Sequence, residues 1–137
     1  MAYRIRRVEY FHATVVDQPG EAYSVLHALA GRGVSLLGFT AVPVGPESTQ
    51  LTLFPEDSGK MRSEAQKAGM ALDGPHRALL VQGDDELGAL ATVHEKIYRS
   101  NVNVYASSAI ADGAGKYGHL IYVRPEDFER AAKALEV

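Results

Sequence analysis

Two short stretches set a carboxylate and a glycine at the junction of a strand-like run and a helix-like run: Asp17-Gln18-Pro19-Gly20 and Asp85-Glu86-Leu87-Gly88. That order can serve binding. The first turn of a helix leaves four backbone N–H groups without partners and carries the positive end of the helix dipole. A small anion can sit on such groups. Gly20 lets a ligand or a neighbouring chain approach the backbone, and Pro19 suits an early helical position. The same residues also suit an ordinary turn in which Asp17 caps the helix, worth about 1 kcal/mol. Turn chemistry alone leaves both readings open.

Other chemistry is sparse. The chain has no cysteine, which removes disulfides, thiolate catalysis and cysteine metal sites together. Its histidines, His12, His27, His76, His94 and His119, form no pair at ligand spacing on one helix face. Gly113-Ala114-Gly115-Lys116 lacks the first glycine, the following Ser or Thr and the helix of a phosphate loop, so it reads as a hairpin turn. "GKYGHLIYV", Gly115 to Val123, partly matches an RNA-recognition signature through Tyr117, Gly118, Leu120 and Tyr122. Its partner strand "ALLVQ", Ala78 to Gln82, has no aromatic to stack a base. Tyr117 and Tyr122 are therefore expected to pack. The sequence indicates no enzyme and no cofactor.

Periodicity supplies the elements. Val8–Val16 alternates as a strand. Ala22, Val25, Leu26, Leu29 and Ala30 form one helical stripe ended by Gly31-Arg32-Gly33. Val34–Val44 and Ser48–Phe54 are strands around Pro43-Val44-Gly45-Pro46, and Pro55-Glu56-Asp57-Ser58 opens a helix with Met61, Ala65 and Ala68 inward. After Asp73-Gly74-Pro75 the order restarts: strand Arg77–Gln82, helix with Leu90, Val93 and Ile97, strands Val102–Ile110 and Tyr117–Val123, then a helix with Phe128, Ala131, Ala132 and Leu135. At an offset of 68, Asp17 meets Asp85, Gly20 Gly88, Val25 Val93, Leu29 Ile97 and Val34 Val102. Pro55-Glu56-Asp57 meets Pro125-Glu126-Asp127 at 70, which suggests a slightly longer second hairpin. This is an internal repeat. Each unit reads β-α-β-β-α with a closing strand in question, the α+β, ferredoxin-like plan. The expected division is 1–72 and 73–137, the last strand missing or shared.

A strand, Asp-x-Pro-Gly, an amphipathic helix ending in glycine and an apolar strand together resemble the ACT domain. Here Asp17, Pro19, Gly20, Leu26, Leu29, Gly33 and Val34 carry the resemblance, and Leu87 replaces the proline in the second unit. The whole chain resembles a freestanding tandem of two ACT modules, two βαββαβ units with helices on one face of antiparallel sheets. The resemblance implies a regulatory protein that binds an amino acid near the first strand–helix loop, at a module or subunit interface. Under it, Asp17 accepts from the ligand's ammonium group while helix N–H groups take its carboxylate. Gln18, Pro19, Gly20, Asp85, Leu87 and Gly88 belong to the loops. At the start of the second strand of each unit, Gly38 admits the ligand, or is a bulge, beside Phe39; Thr40 and Ser107 offer hydroxyls.

The bulk numbers fit. At 137 residues with 46% hydrophobic and 23% charged residues, the chain is an ordinary globular protein. A net charge of −3 weighs against nucleic acid as partner. No apolar run approaches a membrane span, and no apolar segment follows Arg4, Arg6 and Arg7 as in a signal peptide. The expectation is a cytoplasmic protein with no membrane partner. Tyr10, His12, Phe39, Tyr105 and Tyr122 are candidates for the helix-free sheet face, which favours burial against another sheet or subunit and a homodimer; a regulated enzyme as partner is what the resemblance implies. The alternatives are a dimerisation or interaction module with no ligand and, after it, an RNA-binding ferredoxin-like domain.

Overall fold

A computed structural model describes residues 3–137. Among them lie six strands and four helices: β1 (Tyr3–Val16), α1 (Glu21–Gly31), β2 (Leu36–Pro43), β3 (Ser48–Pro55), α2 (Ser58–Lys67), β4 (Asp73–Asp84), α3 (Ala89–Arg99), β5 (Ala106–Ala111), β6 (Lys116–Tyr122) and α4 (Phe128–Ala134). A 3₁₀ turn, Pro125–Asp127, precedes α4. The described residues form two compact units, Glu9–His76 and Tyr3–Val8 with Arg77–Val137. β1 and β4 each contribute residues to both units.

In the Glu9–His76 unit the strands run in the order β2-β3-β1 and then the start of β4. β1 pairs antiparallel with β3 (Phe11 opposite Leu53), and β3 with β2 (Leu53 opposite Phe39). Odd-numbered residues of β1 face the helices, because alternate side chains leave opposite faces of a strand. Phe11 and Ala13 thus meet Leu51, Leu53, Leu29 of α1 and Met61 of α2 in one core. Burying each large side chain contributes roughly 1.5–3 kcal/mol. Tyr10 points to the other face, where its ring packs with those of His12, Phe54 and His76 at 5.1–5.2 Å.

The Arg77–Val137 unit repeats this arrangement. Its order is β5-β6-β4 and then Tyr3–Val8 of β1. Leu79 lies opposite Ile121, and Ser107 opposite Ile121 on the other side. These are the pairs Phe11–Leu53 and Phe39–Leu53 advanced by 68. Leu79, Val81, Ile97 and Ile121 pack with Phe128 and Ala131 in the core, and Tyr3 and Ile5 of β1 lean against it.

The structure moves several expected boundaries. β1 begins at Tyr3 rather than Val8: Tyr3 and Ile5 are core-facing positions of this added segment, Arg4 stands between them, and Arg6 and Arg7 follow. Arg7 pairs with Glu129 at 2.9 Å, so charge at this end of the strand is accommodated. β4 begins at Asp73 rather than Arg77, and its backbone at Gly74 lies close against Tyr10 and Phe11. β2 and β5 begin later than Val34 and Val102. The N–H groups of those valines close the preceding helices onto Leu29 and Ile97. Ala68 and Leu90 are exposed, and Ala89 takes the inward place at the start of α3. Phe39, opposite the core residue Leu53, falls on the helix-covered face, since directly opposed residues share a face.

The two-residue change of offset does not lie in the hairpin. Val44 N–H bonds Ser48 O, and Asp112 N–H bonds Lys116 O, both still 68 apart. The extra residues fall after β6, where Pro125–Asp127 makes its turn before the final helix. Ala131 and Leu135 then take the buried places of Met61 and Ala65, at 70.

Candidate functional site

The two strand–helix loops have one backbone design. Asp17 N–H donates to Glu47 O at 2.9 Å and Gln18 N–H to Val16 O at 2.9 Å. Asp85 N–H donates to Gly115 O and Glu86 N–H to Asp84 O, each also at 2.9 Å. Gly20 (φ 85°, ψ −6°) and Gly88 (φ 82°, ψ 4°) are the N-caps of α1 and α3, both left-handed and neither helix having a side-chain cap. A hydroxyl one turn on, Ser24 or Thr92, donates to the glycine carbonyl at 2.9 and 3.1 Å. The N–H groups of Ala22, Tyr23, Leu90 and Ala91 lie in the first turns, where intrahelical partners are missing.

This geometry corrects two expectations. Asp17 does not cap α1, because its backbone is tied back to Glu47 and the glycine occupies the N-cap. Pro19 stands in the turn before the helix rather than inside its first turn. Leu87 holds the equivalent place, fully exposed, so the turn forms with either residue.

A cavity of about 540 Å³ opens at the second loop. Asp85, Glu86, Leu87 and Gly88 line it with the first turn of α3, Ala109–Ala111 of β5, and Tyr117. Leu87, Leu90 and Ile110 give it an exposed apolar rim. The structure thus brings together Asp85, Leu87 and Gly88. Ser107, exposed and opposite Ile121, lies further back on β5, outside that lining. Asp17, Gln18, Pro19 and Gly20 form the exposed loop of the other unit. Gly38 sits where the β2–β3 register shifts, a bulge that leaves it opposite Phe54; Thr40 lies opposite Thr52.

The end of β5 was not singled out from the sequence. What brings it to the loop is the bond from Asp85 N–H to the Gly115 carbonyl, which anchors the β5–β6 hairpin there. Tyr117 is almost wholly buried, as expected of a packing residue, and its hydroxyl has no hydrogen-bond partner among the described residues. Burial, with Tyr3 and Glu86 nearby, pushes its phenol above the ordinary range. No group of three or more His, Asp or Glu suited to a metal occurs among the described residues. None of their helices is long and apolar enough to cross a membrane.

No family model matches the chain, and no curated protein matches it in sequence. Solved structures do match in shape. Protein BT0572 from Bacteroides thetaiotaomicron superposes with a TM-score of 0.81 at 15% identity, over 96% of this chain and 88% of that one. The regulatory subunit of aspartate kinase from Thermus thermophilus, in its ligand-free form, gives 0.62 at 16% identity, over 98% and 95%. A structure of aspartokinase alpha and beta subunits gives 0.62 at 18%, again over 98% and 95%. The fold is ACT-like. The likeness extends over nearly the whole chain.

Proposed function

We propose that this chain is a regulatory protein of two ACT modules, 1–72 and 73–137, that binds an amino acid at its strand–helix loops. The observation that carries the reading is the pair of matched loops, each with a left-handed glycine N-cap and open first-turn N–H groups beside a carboxylate. At the second loop these groups border a cavity large enough to admit an amino acid. The ligand carboxylate sits on the first-turn N–H groups, its ammonium group faces Asp85 or Asp17, and its side chain lies on Leu87 and Leu90. Gly38, Phe39, Thr40 and Ser107 extend the site where a second module or subunit abuts. The module does no chemistry of its own and reports the ligand to an enzyme; one protein of similar fold is named the regulatory subunit of aspartate kinase.

Thermal unfolding with each of the twenty amino acids at millimolar concentration tests this. A ligand at about 100 times its Kd adds about 2.7 kcal/mol to the native state. The expected result is a rise of several degrees with one or two amino acids, lost in Asp85→Ala or Asp17→Ala. No rise with any of them, in a folded protein, rejects the ligand reading. It leaves the apolar rim of Leu87, Leu90 and Ile110 as a contact surface for protein.

A further inference from the structure

The two units part company on the helix-free face of the sheet. In the Glu9–His76 unit, Thr14 lies opposite Gln50. At the same place in the other unit, Gln82 lies opposite Gly118, and Gly118 lies opposite Ile110 of β5. All three face away from the helices, since their strand neighbours Val81, Tyr117 and Ile121 are core residues. The row therefore has side chains at both ends and none at its centre. A Cβ added at Gly118 would meet nothing within 4 Å, and a cavity of about 460 Å³ lies there.

Its walls carry more positive than negative charge. Arg4, Lys116, Asp112, Gln82 and Ile110 line it. Both nearby carboxylates are already engaged. Asp84 holds the Lys116 ammonium, and Asp112 Oδ1 accepts from the Ala114 and Lys116 amides at 2.7 and 3.1 Å. On the other side, Arg6 donates weakly to Gln82 Oε1 at 3.4 Å, and its Nε is buried without a partner among the described residues. Three cations thus stand against two occupied carboxylates in a chain whose net charge is −3. In the sister unit the place of Lys116 is held by Ser48.

We propose that this glycine-floored cleft binds a small aliphatic carboxylate that lacks an ammonium group. The carboxylate meets Arg4, whose guanidinium fork matches two oxygens, with the Gln82 amide beside it. The hydrocarbon part lies over Gly118 against Ile110. An amino acid fits poorly, because its ammonium would enter a field set by Arg4, Arg6 and Lys116. The site borders the loop cavity at Ile110 and Tyr117 but opens on the other face of the sheet and takes another ligand class.

Amide NMR titration of the full chain with 4-methyl-2-oxopentanoate and with leucine, which differ in the oxo and amino groups, tests the proposal. The oxo acid should shift the Gly83 and Gly118 amides saturably, and leucine should do so at least about tenfold more weakly. Gly118→Val fills the floor without a backbone clash and should abolish the shifts. Arg4→Met, at an exposed position, should weaken binding about tenfold or more. Asp85→Ala should leave the shifts unchanged, because it belongs to the loop site. Absence of saturable shifts at Gly83 and Gly118, or equal binding to wild type and Gly118→Val, overturns the proposal. Shifts confined to Gly20 and Gly88 overturn it too, while leaving the loop reading intact.

Discussion

Asp57 Oδ1 accepts the Lys60 N–H at 3.0 Å and so caps α2, whereas the Asp17 side chain makes no such bond to α1. Replacing each by alanine should separate the two roles. Asp57→Ala is expected to cost about 1 kcal/mol in chemical denaturation, and Asp17→Ala less than about 0.5 kcal/mol, as at an ordinary surface position. Equal costs would mean that Asp17 holds its loop. The buried imidazole of His119 poses a different residue-scale problem. It stacks on His94 at 5.1 Å with the two Nε2 atoms 3.2 Å apart, so one ring donates and the other accepts. Burial first, and His94 second, lower its pKa from 6.5 to about 4. The unfolded chain therefore takes up this proton before the folded one does. The stability that neutral His119 provides is complete above pH 6.5 and is lost as pH falls toward 4. By pH 5 the loss is about 2 kcal/mol. Melting temperatures measured from pH 7 to 5 should fall more steeply for wild type than for His119→Leu. Parallel curves would show that His119 is solvated in the folded chain.

β1 and β4 are the elements on which both units depend, since each strand passes from one unit to the other. A chain beginning at Glu9 keeps the β1 residues of the Glu9–His76 unit and removes the strand beside β4 in the Arg77–Val137 unit. Amide exchange should then show lost protection at Leu79 and Val81 while Leu51 and Leu53 stay protected. Protection kept at all four would mean that Tyr3–Val8 is dispensable. Gly74 reports on the other shared strand: a Cβ there would sit 2.8 Å from the Tyr10 carbonyl at φ 143°. Gly74→Ala should cost roughly 1–3 kcal/mol, more than Gly88→Ala, whose Cβ meets nothing and costs about 1 kcal/mol for its left-handed φ alone. These strands also mark what sequence could and could not convey. The repeat was legible because Leu29 and Ile97, or Val34 and Val102, obey one packing geometry at one spacing. The first half of β1 was not, because its outward face is arginine, and hydrophobic alternation with Tyr3 and Ile5 is too short to stand out. Asp73-Gly74-Pro75 has turn composition, yet tertiary contact with Tyr10 and Phe11 makes it strand. The glycine N-caps were legible as turn residues; which strand end borders them depends on one long-range bond, Asp85 to Gly115. The cleft over Gly118 was invisible, because a missing side chain signals nothing until its neighbours across the sheet are known.

For the molecule as a whole, what matters is which backbone edges remain unpaired. β2 and β5 each have one hydrogen-bonded neighbour, and every residue of β5, Ala106 to Ala111, is exposed. Its sequence ASSAIA has no charge and no proline, so it lacks the usual devices that discourage pairing with another chain. Exposed Leu87 and Ile110 add apolar surface close by. If the homodimer expected from the sequence pairs through this edge, the partner chain would stand next to the cavity at Asp85–Gly88. Analytical ultracentrifugation should then give about twice the 14.8 kDa of the chain. Ser108→Lys, which sets a charge on the edge outside both cavity linings, should yield monomer with an unchanged melting profile at the level of each unit. If amino-acid binding needs the partner's surface, that variant should also lose the thermal response while keeping the oxo-acid shifts at Gly118. A dimer that survives Ser108→Lys would move the contact to β2, where Val42 holds the place of Ile110, and the corresponding lysine at Thr40 would decide it.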